Sequence, residues 1–329
     1  MKSVFICDNP QDIKRVYREK VLTALGLTDT VFSGEEVRAQ KENFTDTQFI
    51  FSTWGMPVFT GEEIKEIFPS LQCVFYAAGT VQYFARPFLQ NGVRIFSAWA
   101  ANAVPVAEFT MAQILLAGKG FFAASRVQSV GETEKATKLT GQIRGNYGAK
   151  VGIIGAGMIG KKAIELLKAF NLEILVFDPF LPDETAKTLG VKKAELSQIF
   201  SECSVISNHL ANNEQTKGIL NYKYFKCMPP YATFINTGRG AQVAEDDLAK
   251  ILTERPDVTA LLDVTDPEPP EANHPFYKLS NCILTPHIAG SMGDEVCRMA
   301  EYMLDEYTRF TAGEPCHCEV SEAMLETMA

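Results

Sequence analysis

No run of lysine or arginine interrupts the 329 residues, and acid outnumbers base, with 40 Asp plus Glu against 31 Lys plus Arg and a formal net charge of −9. Such a chain has little with which to neutralise a string of phosphates or hold an anionic bilayer surface, so neither nucleic acid nor membrane is an expected partner. No window offers the roughly 18 apolar residues of a bilayer span. The opening MKSVFICDNP sets acid and proline where a signal peptide carries its apolar core, and a cytoplasmic protein is expected. The eight cysteines (Cys7, Cys73, Cys203, Cys227, Cys282, Cys297, Cys316, Cys318) include no CxxC pair, which reads as packed, reduced thiols. In Cys316-His317-Cys318 two ligands one residue apart point to opposite sides of an extended chain, and no second half-site accompanies them. A solvated tail is expected there, and no metal.

What is present is enough apolar material, 46% of the residues, for two domains of ordinary size. Short β-branched or aromatic runs alternate with longer helical periods throughout, the pattern of parallel sheets covered by helices. Strands are expected at residues 3–7, 48–52, 73–76 and 94–97, with helices at 12–25 and 62–68 among the segments between them. Residues 103–116 read as a helix apolar on nearly every side, through Val104, Val106, Phe109, Met111, Ile114 and Leu115, with Pro105 in its first turn. A second copy of the chain is an economical cover for part of it, hence an expected homodimer through the helix starting near Ala103. From Lys150 the alternation starts afresh, with six parallel strands at 151–154, 173–177, 204–207, 232–236, 259–263 and 282–285. A long helix at 291–310 follows, then a polar tail. If that helix packs back on the amino-terminal unit, the first domain is discontinuous and the chain crosses between domains twice, as a hinge.

In VGIIGAGMIG the glycines Gly155, Gly157 and Gly160 follow an apolar strand and open a helix running from Met158 to about Phe170. Gly155 suits the tight turn, Gly157 the approach of a pyrophosphate, and Gly160 close packing of helix on strand, while the helix start offers free N–H groups and a positive dipole end. Asp178 lies 18 residues past Gly160, at the end of the next strand, where a carboxylate accepts ribose hydroxyls and repels a 2′-phosphate. NAD is the expected cofactor.

Ligands of an open parallel sheet lie outside the carboxyl ends of its strands. Arg239 follows the strand ending at Asn236, Asp263 closes LLDV with Glu268 five residues on, and His287 follows CILTP. All fall on the edge carrying Gly155 and Asp178. Taken singly, an arginine in a Gly-Arg-Gly turn, a glutamate among prolines and one histidine are ordinary surface residues. Together beside a dinucleotide they match what reduction of a 2-keto acid needs. A guanidinium binds carboxylate and carbonyl, an imidazole gives a proton to the alkoxide, and a carboxylate fixes the imidazole tautomer.

The sequence resembles the D-isomer-specific 2-hydroxyacid dehydrogenase family over nearly its whole length. Four motifs carry the likeness in the family's order: GIIGAGMIG, INTGRGAQVAEDDL, LDVTDPEP and LTPHIAGS. The helix opening NAVPVAEFTMAQILLA is similar to the family's dimer helix and hinge. The resemblance implies an α/β chain of two doubly wound parallel-sheet domains. A discontinuous, flavodoxin-like substrate domain would take residues 1–102 and 291–329, and an NAD-binding Rossmann domain residues 103–290. It implies Arg239 as substrate clamp, His287 as acid/base and Glu268 as its partner. Met158 and Ile159 would lie at the pyrophosphate, Thr237 along the dinucleotide and Asp263 at the nicotinamide amide. The turn Ala77-Ala78-Gly79-Thr80 matches the loop whose amides hold the substrate carboxylate.

Two departures stand out. The segment after that turn, Thr80-Val81-Gln82-Tyr83-Phe84, is bulkier than the family's usual acidic and small residues, and Ala211 replaces a usual proline after His209-Leu210. The loop Ser52-Thr53-Trp54-Gly55-Met56 carries no Lys or Arg for a phosphorylated substrate, which favours a small or apolar 2-keto acid such as glyoxylate, hydroxypyruvate or a branched or aromatic pyruvate. An added carboxyl-terminal regulatory domain is not expected, the chain stopping too soon for one. Two rivals remain. Formate dehydrogenases share the arginine and histidine but place glutamine where Glu268 stands, and an NAD(H)-sensing corepressor keeps the whole fold.

Overall fold

The computed structural model describes residues 2–326. Its strands in chain order are β1 (Lys2–Ile6), β2 (Val31–Phe32), β3 (Thr47–Ser52), β4 (Cys73–Tyr76), β5 (Arg94–Ser97), β6 (Ala149–Ile154) and β7 (Leu172–Phe177). Then come β8 (Lys192–Lys193), β9 (Val205–Asn208), β10 (Thr233–Asn236), β11 (Thr259–Leu262), β12 (Cys282–Leu284) and β13 (Glu319–Val320). They form two sheets in two compact units, one of residues up to Asn102 and from Ser291 onward, the other Ala103–Gly290.

In the first unit the order is β13-β5-β4-β3-β1-β2, parallel except for β13. The order turns back between β1 and β3, the position beyond whose carboxyl ends open parallel sheets bind ligands; Thr53–Met56 follows β3, and Ala77–Thr80 follows the adjacent β4. The central strands are buried on both faces and correspondingly apolar or aromatic. Phe51, Phe75 and Phe96 occupy one registered row on one face and stack at 5.1 and 5.0 Å. Tyr307, on the helix Cys297–Ala312, meets Phe51 and Phe75 edge-on, so this carboxyl-terminal helix covers the first sheet. Ser33 with Glu36 and Thr60 with Glu63 form capping boxes that start the helices Gly34–Ala39 and Gly61–Ile67.

The second unit has seven parallel strands in the order β12-β11-β10-β9-β6-β7-β8. Numbered within the unit this is the 3-2-1-4-5-6 nucleotide-binding order with one strand added, and its reversal falls between β6 and β9. One registered row runs across it through Phe177, Ile154, Asn208, Asn236, Leu262 and Leu284. The next residue on each strand, from Asp178 to Thr285, therefore lies on a single edge.

Several sequence expectations need correction. The helix expected at 12–25 is two, Pro10–Val16 and Glu19–Leu25, because Tyr17 and Arg18 are extended. The second sheet has a seventh strand, the two-residue β8, too short to leave a periodic trace. The apolar helix begins at Trp99, so Pro105 lies inside it rather than in its first turn. At 20 residues, Trp99–Gly118 is long and apolar enough by composition to cross a membrane, which the expectation of no such window had missed; 44% of its apolar window is buried inside the fold. The helix expected from 291 starts at Cys297, after a 3₁₀ turn at Gly293–Val296.

The tail is not simply solvated. β13 adds an antiparallel edge to β5, Cys318 is buried, and the N–H groups of His317 and Cys318 donate to the buried Glu306 carboxylate at 3.0 to 3.1 Å. Cys7, Cys73, Cys203 and Cys318 are buried thiols, while Cys227 is exposed.

Candidate active site

The glycine turn after β6 has the shape its residues dictate. Gly155 sits at φ +91°, and a Cβ there would meet the His209 carbonyl oxygen at 2.6 Å. A Cβ on Gly160 would meet the Gly155 carbonyl oxygen at 2.0 Å. A Cβ on Gly157 would meet nothing within 4 Å, so the backbone faces open space where a pyrophosphate can approach. The helix Met158–Leu167 that follows has no side-chain cap, which leaves its first N–H groups for a ligand. Met158 is exposed and Ile159 half-buried. Asp178 accepts Ala156 N–H at 2.7 Å and Phe180 N–H at 2.8 Å, one on each oxygen, so a lone pair on each remains for ribose hydroxyls. These residues fit an NAD pyrophosphate and adenosine.

The arginine turn after β10 rests on an amide network that sequence reasoning did not find. Asn208 Nδ2 donates to Asn236 Oδ1 at 3.0 Å and to Gln242 Oε1 at 2.5 Å, and Gln242 Oε1 also accepts Arg239 N–H at 3.2 Å. Gln242 Nε2 donates to Leu210 O at 2.6 Å, and Asn236 Nδ2 to Arg239 O at 3.1 Å. Asn208, Asn236 and Gln242 are all buried. A buried polar residue at a strand end was the available signal, but in sequence it is indistinguishable from loop polarity. A Cβ on Gly240 would lie 2.0 Å from the Thr265 carbonyl carbon, so Gly240 lets this turn press against the loop after β11. The Arg239 guanidinium donates to its neighbour's carbonyl, Gly238 O, at 2.8 Å. Burial lowers its pKa and the charge of Glu268 acts against that shift. Thr237 is buried with its hydroxyl 3.2 Å from that of Thr110.

The histidine comes from the loop after β12. The buried Asp263 carboxylate accepts the Thr285 hydroxyl and the N–H groups of Ile288 and Ala289, the last two at 2.8 Å. Its backbone carbonyl accepts His287 N–H at 3.0 Å. Thus Asp263 spends most of its acceptor capacity shaping the histidine loop. His287 is held at φ 54°, a left-handed conformation that a non-glycine residue keeps only when its surroundings impose it. Its Nδ1 lies 2.7 Å from Glu268 Oε1. Both side chains remain open to solvent, 47% and 42% exposed, as a pair awaiting a ligand must be.

In the first unit the carbonyls of the Ala77–Thr80 turn are tied inward. Thr53 Oγ1 donates to Ala77 O at 2.8 Å, and Ser97 Oγ donates to Ala78 O at 2.9 Å and Gly79 O at 2.5 Å. Among the described residues nothing accepts the N–H groups of Ala78 and Gly79. Successive free N–H groups of this kind suit an anion. Of the bulky segment that follows, Val81 and Phe84 turn into the core, while Tyr83 is exposed with its hydroxyl 3.3 Å from that of Tyr76. The loop 52–56 has no cation of its own, but Arg15 from the first helix lies 5.1 Å over the Trp54 ring and 3.6 Å from Asp12. No group of three or more potential metal ligands occurs among the described residues.

The second unit is thus a nucleotide-binding sheet with a polar site on its cofactor edge. A family model for the "D-isomer specific 2-hydroxyacid dehydrogenase, NAD binding domain" matches residues 111–289. D-3-phosphoglycerate dehydrogenase of Archaeoglobus fulgidus is 27% identical over 237 residues, which are 72% of this chain but only 44% of that longer protein. Glyoxylate reductase of Korarchaeum cryptofilum is 28% identical over 254 residues, covering 77% of this chain and 76% of that one. The apo crystal structure of D-mandelate dehydrogenase from Rhodotorula graminis shares the fold, with TM-score 0.80 at 18% identity over 97% of each chain. The matched domain defines the class as NAD-binding. The chain belongs to the D-isomer-specific 2-hydroxyacid dehydrogenase family, and its cofactor is NAD.

Proposed function

We propose that this protein interconverts small 2-keto acids and D-2-hydroxy acids, with Arg239 as substrate clamp, His287 as acid/base and Glu268 as its partner. The observation that carries the reading is the 2.7 Å approach of Glu268 to His287 Nδ1 at the cofactor edge of an NAD-binding sheet. In this reading residues 103–290 bind NAD, and residues 1–102 with 291–329 bind substrate. Met158 and Ile159 flank the pyrophosphate, Asp178 holds the adenosine ribose, Thr237 lines the dinucleotide, and Asp263 offers its last lone pair to the nicotinamide amide.

NADH, when bound, supplies the hydride. Arg239 keeps most of its five donors for the substrate, since among the described residues its side chain donates to Gly238 O alone. Paired N–H donors on the carboxylate and the carbonyl oxygen fix the keto acid and draw electrons toward that oxygen. Glu268 occupies Nδ1 of His287 and leaves Nε2 to face substrate. As the new C–H bond forms at the carbonyl carbon, the C=O π pair moves onto oxygen and takes the proton from Nε2. Oxidation runs the same path backward, with Nε2 accepting the hydroxyl proton. In the unit read as substrate-binding, the free N–H groups of Ala78 and Gly79 suit an anion such as a carboxylate.

The substrate class is a small or apolar 2-keto acid, glyoxylate, hydroxypyruvate or a branched or aromatic pyruvate. Tyr83 is exposed, and Arg15 is already engaged by Trp54 and Asp12. A panel of 2-keto acids with NADH, including a phosphorylated one and with formate and NAD⁺ as the contrasting reaction, tests this. Reduction of at least one unphosphorylated keto acid is expected, and NADH binding without any turnover would favour the sensor reading. We infer a homodimer through the helix Trp99–Gly118, supported by Val104, Phe109, Met111 and Leu115 left half-exposed and Leu116 40% exposed. A cytoplasmic setting accords with eight free thiols.

A further inference from the structure

The segment that delivers Glu268 is anchored from outside itself. Three residues after Asp263 the N–H of Asp266 donates to Glu245 Oε1 at 2.9 Å, and Thr265 Oγ1 donates to Pro267 O at 3.0 Å. Glu245 is the first residue of the helix Glu245–Glu254, and its side chain is only 10% exposed. Its other oxygen, Oε2, faces Nε2 of His274 at 3.8 Å across a contact where the histidine is 15% exposed. Because His274 Nδ1 accepts Phe276 N–H at 3.3 Å, the ring's proton sits on Nε2, toward Glu245. The other titratable groups acting around Glu245 are Asp266, Asp246 and the Cys282 thiol, and among the described residues no lysine or arginine pairs with it. A carboxylate nearly out of water with no cation is a poor contributor to stability. What it does hold is a backbone amide two residues before Glu268.

We propose that Glu245 is a positioning residue for the reaction, fixing the 265–268 segment so that Glu268 meets His287. The proposal rests on the catalytic reading above. It adds a pH dependence. Burial pushes the Glu245 carboxyl up to about 7, the nearby Asp266 and Asp246 charges add to the rise, and the Asp266 N–H bond opposes it. As pH falls through that range the carboxylate takes a proton and becomes a weaker acceptor for Asp266 N–H. The Glu268 segment loosens and turnover declines, giving an acid limb that follows Glu245.

Two variants test this with NADH and a 2-keto acid. Glu245→Gln offers Asp266 N–H the same kind of neutral acceptor that a protonated carboxyl does and cannot titrate; kcat at pH 8 falls a few-fold, to the level wild type reaches on its acid limb, and the limb near pH 7 disappears. Glu245→Ala removes the acceptor; kcat falls about tenfold, roughly the loss of one hydrogen bond to a charged group, while KM for the keto acid and Kd for NADH change less than threefold. A readout independent of turnover is the His287 ring signal in protein carrying isotope-labelled histidine, which has only 4 histidines to assign. In Glu245→Ala that signal moves toward its position in Glu268→Gln. A Gln variant whose pH profile overlays wild type, or an Ala variant that melts earlier but leaves the His287 signal unmoved, overturns the proposal. If Ala does not fold, the Gln profile decides. If wild type reduces no keto acid, the catalytic reading fails and the ring signal still decides the positioning role.

Discussion

Glu268 Oε1 lies 2.7 Å from His287 Nδ1, although 19 residues separate them and neither is buried. Two loops from neighbouring parallel strands, β11 and β12, bring the groups together, and Asp263 shapes the second loop with three hydrogen bonds to its carboxylate. The pair is therefore a product of sheet topology.

Replacing either partner separates their roles. His287→Gln should lower kcat for keto acid reduction by about two orders of magnitude or more, the usual worth of a positioned acid. Glu268→Gln keeps a hydrogen-bond acceptor for Nδ1 but loses the negative charge beside the ring, so a smaller fall of about tenfold is expected. Initial rates of NADH loss across pH check both.

Arg239→Lys keeps the positive charge and removes the paired donors. A drop in kcat/KM of about 100-fold or more is expected, with NADH affinity unchanged, because a single ammonium does not reproduce the guanidinium fork. Nearly normal kcat/KM in the lysine variant would show that charge alone suffices.

Gln242→Leu removes an amide that serves Asn208, Arg239 N–H and Leu210 O at once. Leaving these buried groups without partners should destabilise the fold by about 2–4 kcal/mol. In protein that remains folded it should also weaken the substrate clamp. Urea denaturation measures the first effect, and kcat/KM the second.

His209 couples stability to pH. Burial pulls its pKa from 6.5 down to about 4, so the unfolded chain gains a proton that the folded one refuses. Its contribution to stability is present above pH 6.5 and is lost as pH falls through about 4. Over that shift of 2.5 units it amounts to at most about 3 kcal/mol. Glu245 has the opposite sign, since its raised pKa makes the fold less stable as pH rises from 4.5 through about 7. Thermal melts of His209→Asn and wild type should therefore diverge at pH 7 and converge toward pH 4.

The elements around the glycine turn were legible because strand, glycines, helix and Asp178 follow each other within one βαβ stretch, where local spacing is a physical constraint. The core strands were legible for the same reason, as compact apolar runs bounded by turns. Residues 17 and 18 were not, because the apolar period of Ile13, Val16, Val21 and Leu25 passes through them unbroken while the backbone does not. The two-residue strands β2 and β8 carry no period at all. Asn208, Gln242, Glu245 and His274 were missed because their meaning lies in contacts across 21 to 34 residues. In sequence, each is only another polar residue near a turn.

The most direct test of the account is the chirality of the product that wild-type protein forms from NADH and a panel of unphosphorylated 2-keto acids whose reduction creates a stereocentre, hydroxypyruvate and branched or aromatic pyruvates rather than glyoxylate, read by chiral chromatography. Stoichiometric NADH oxidation with a D-2-hydroxy acid as the sole product is the predicted result. An L-product, or tight NADH binding with no keto acid reduced, contradicts it.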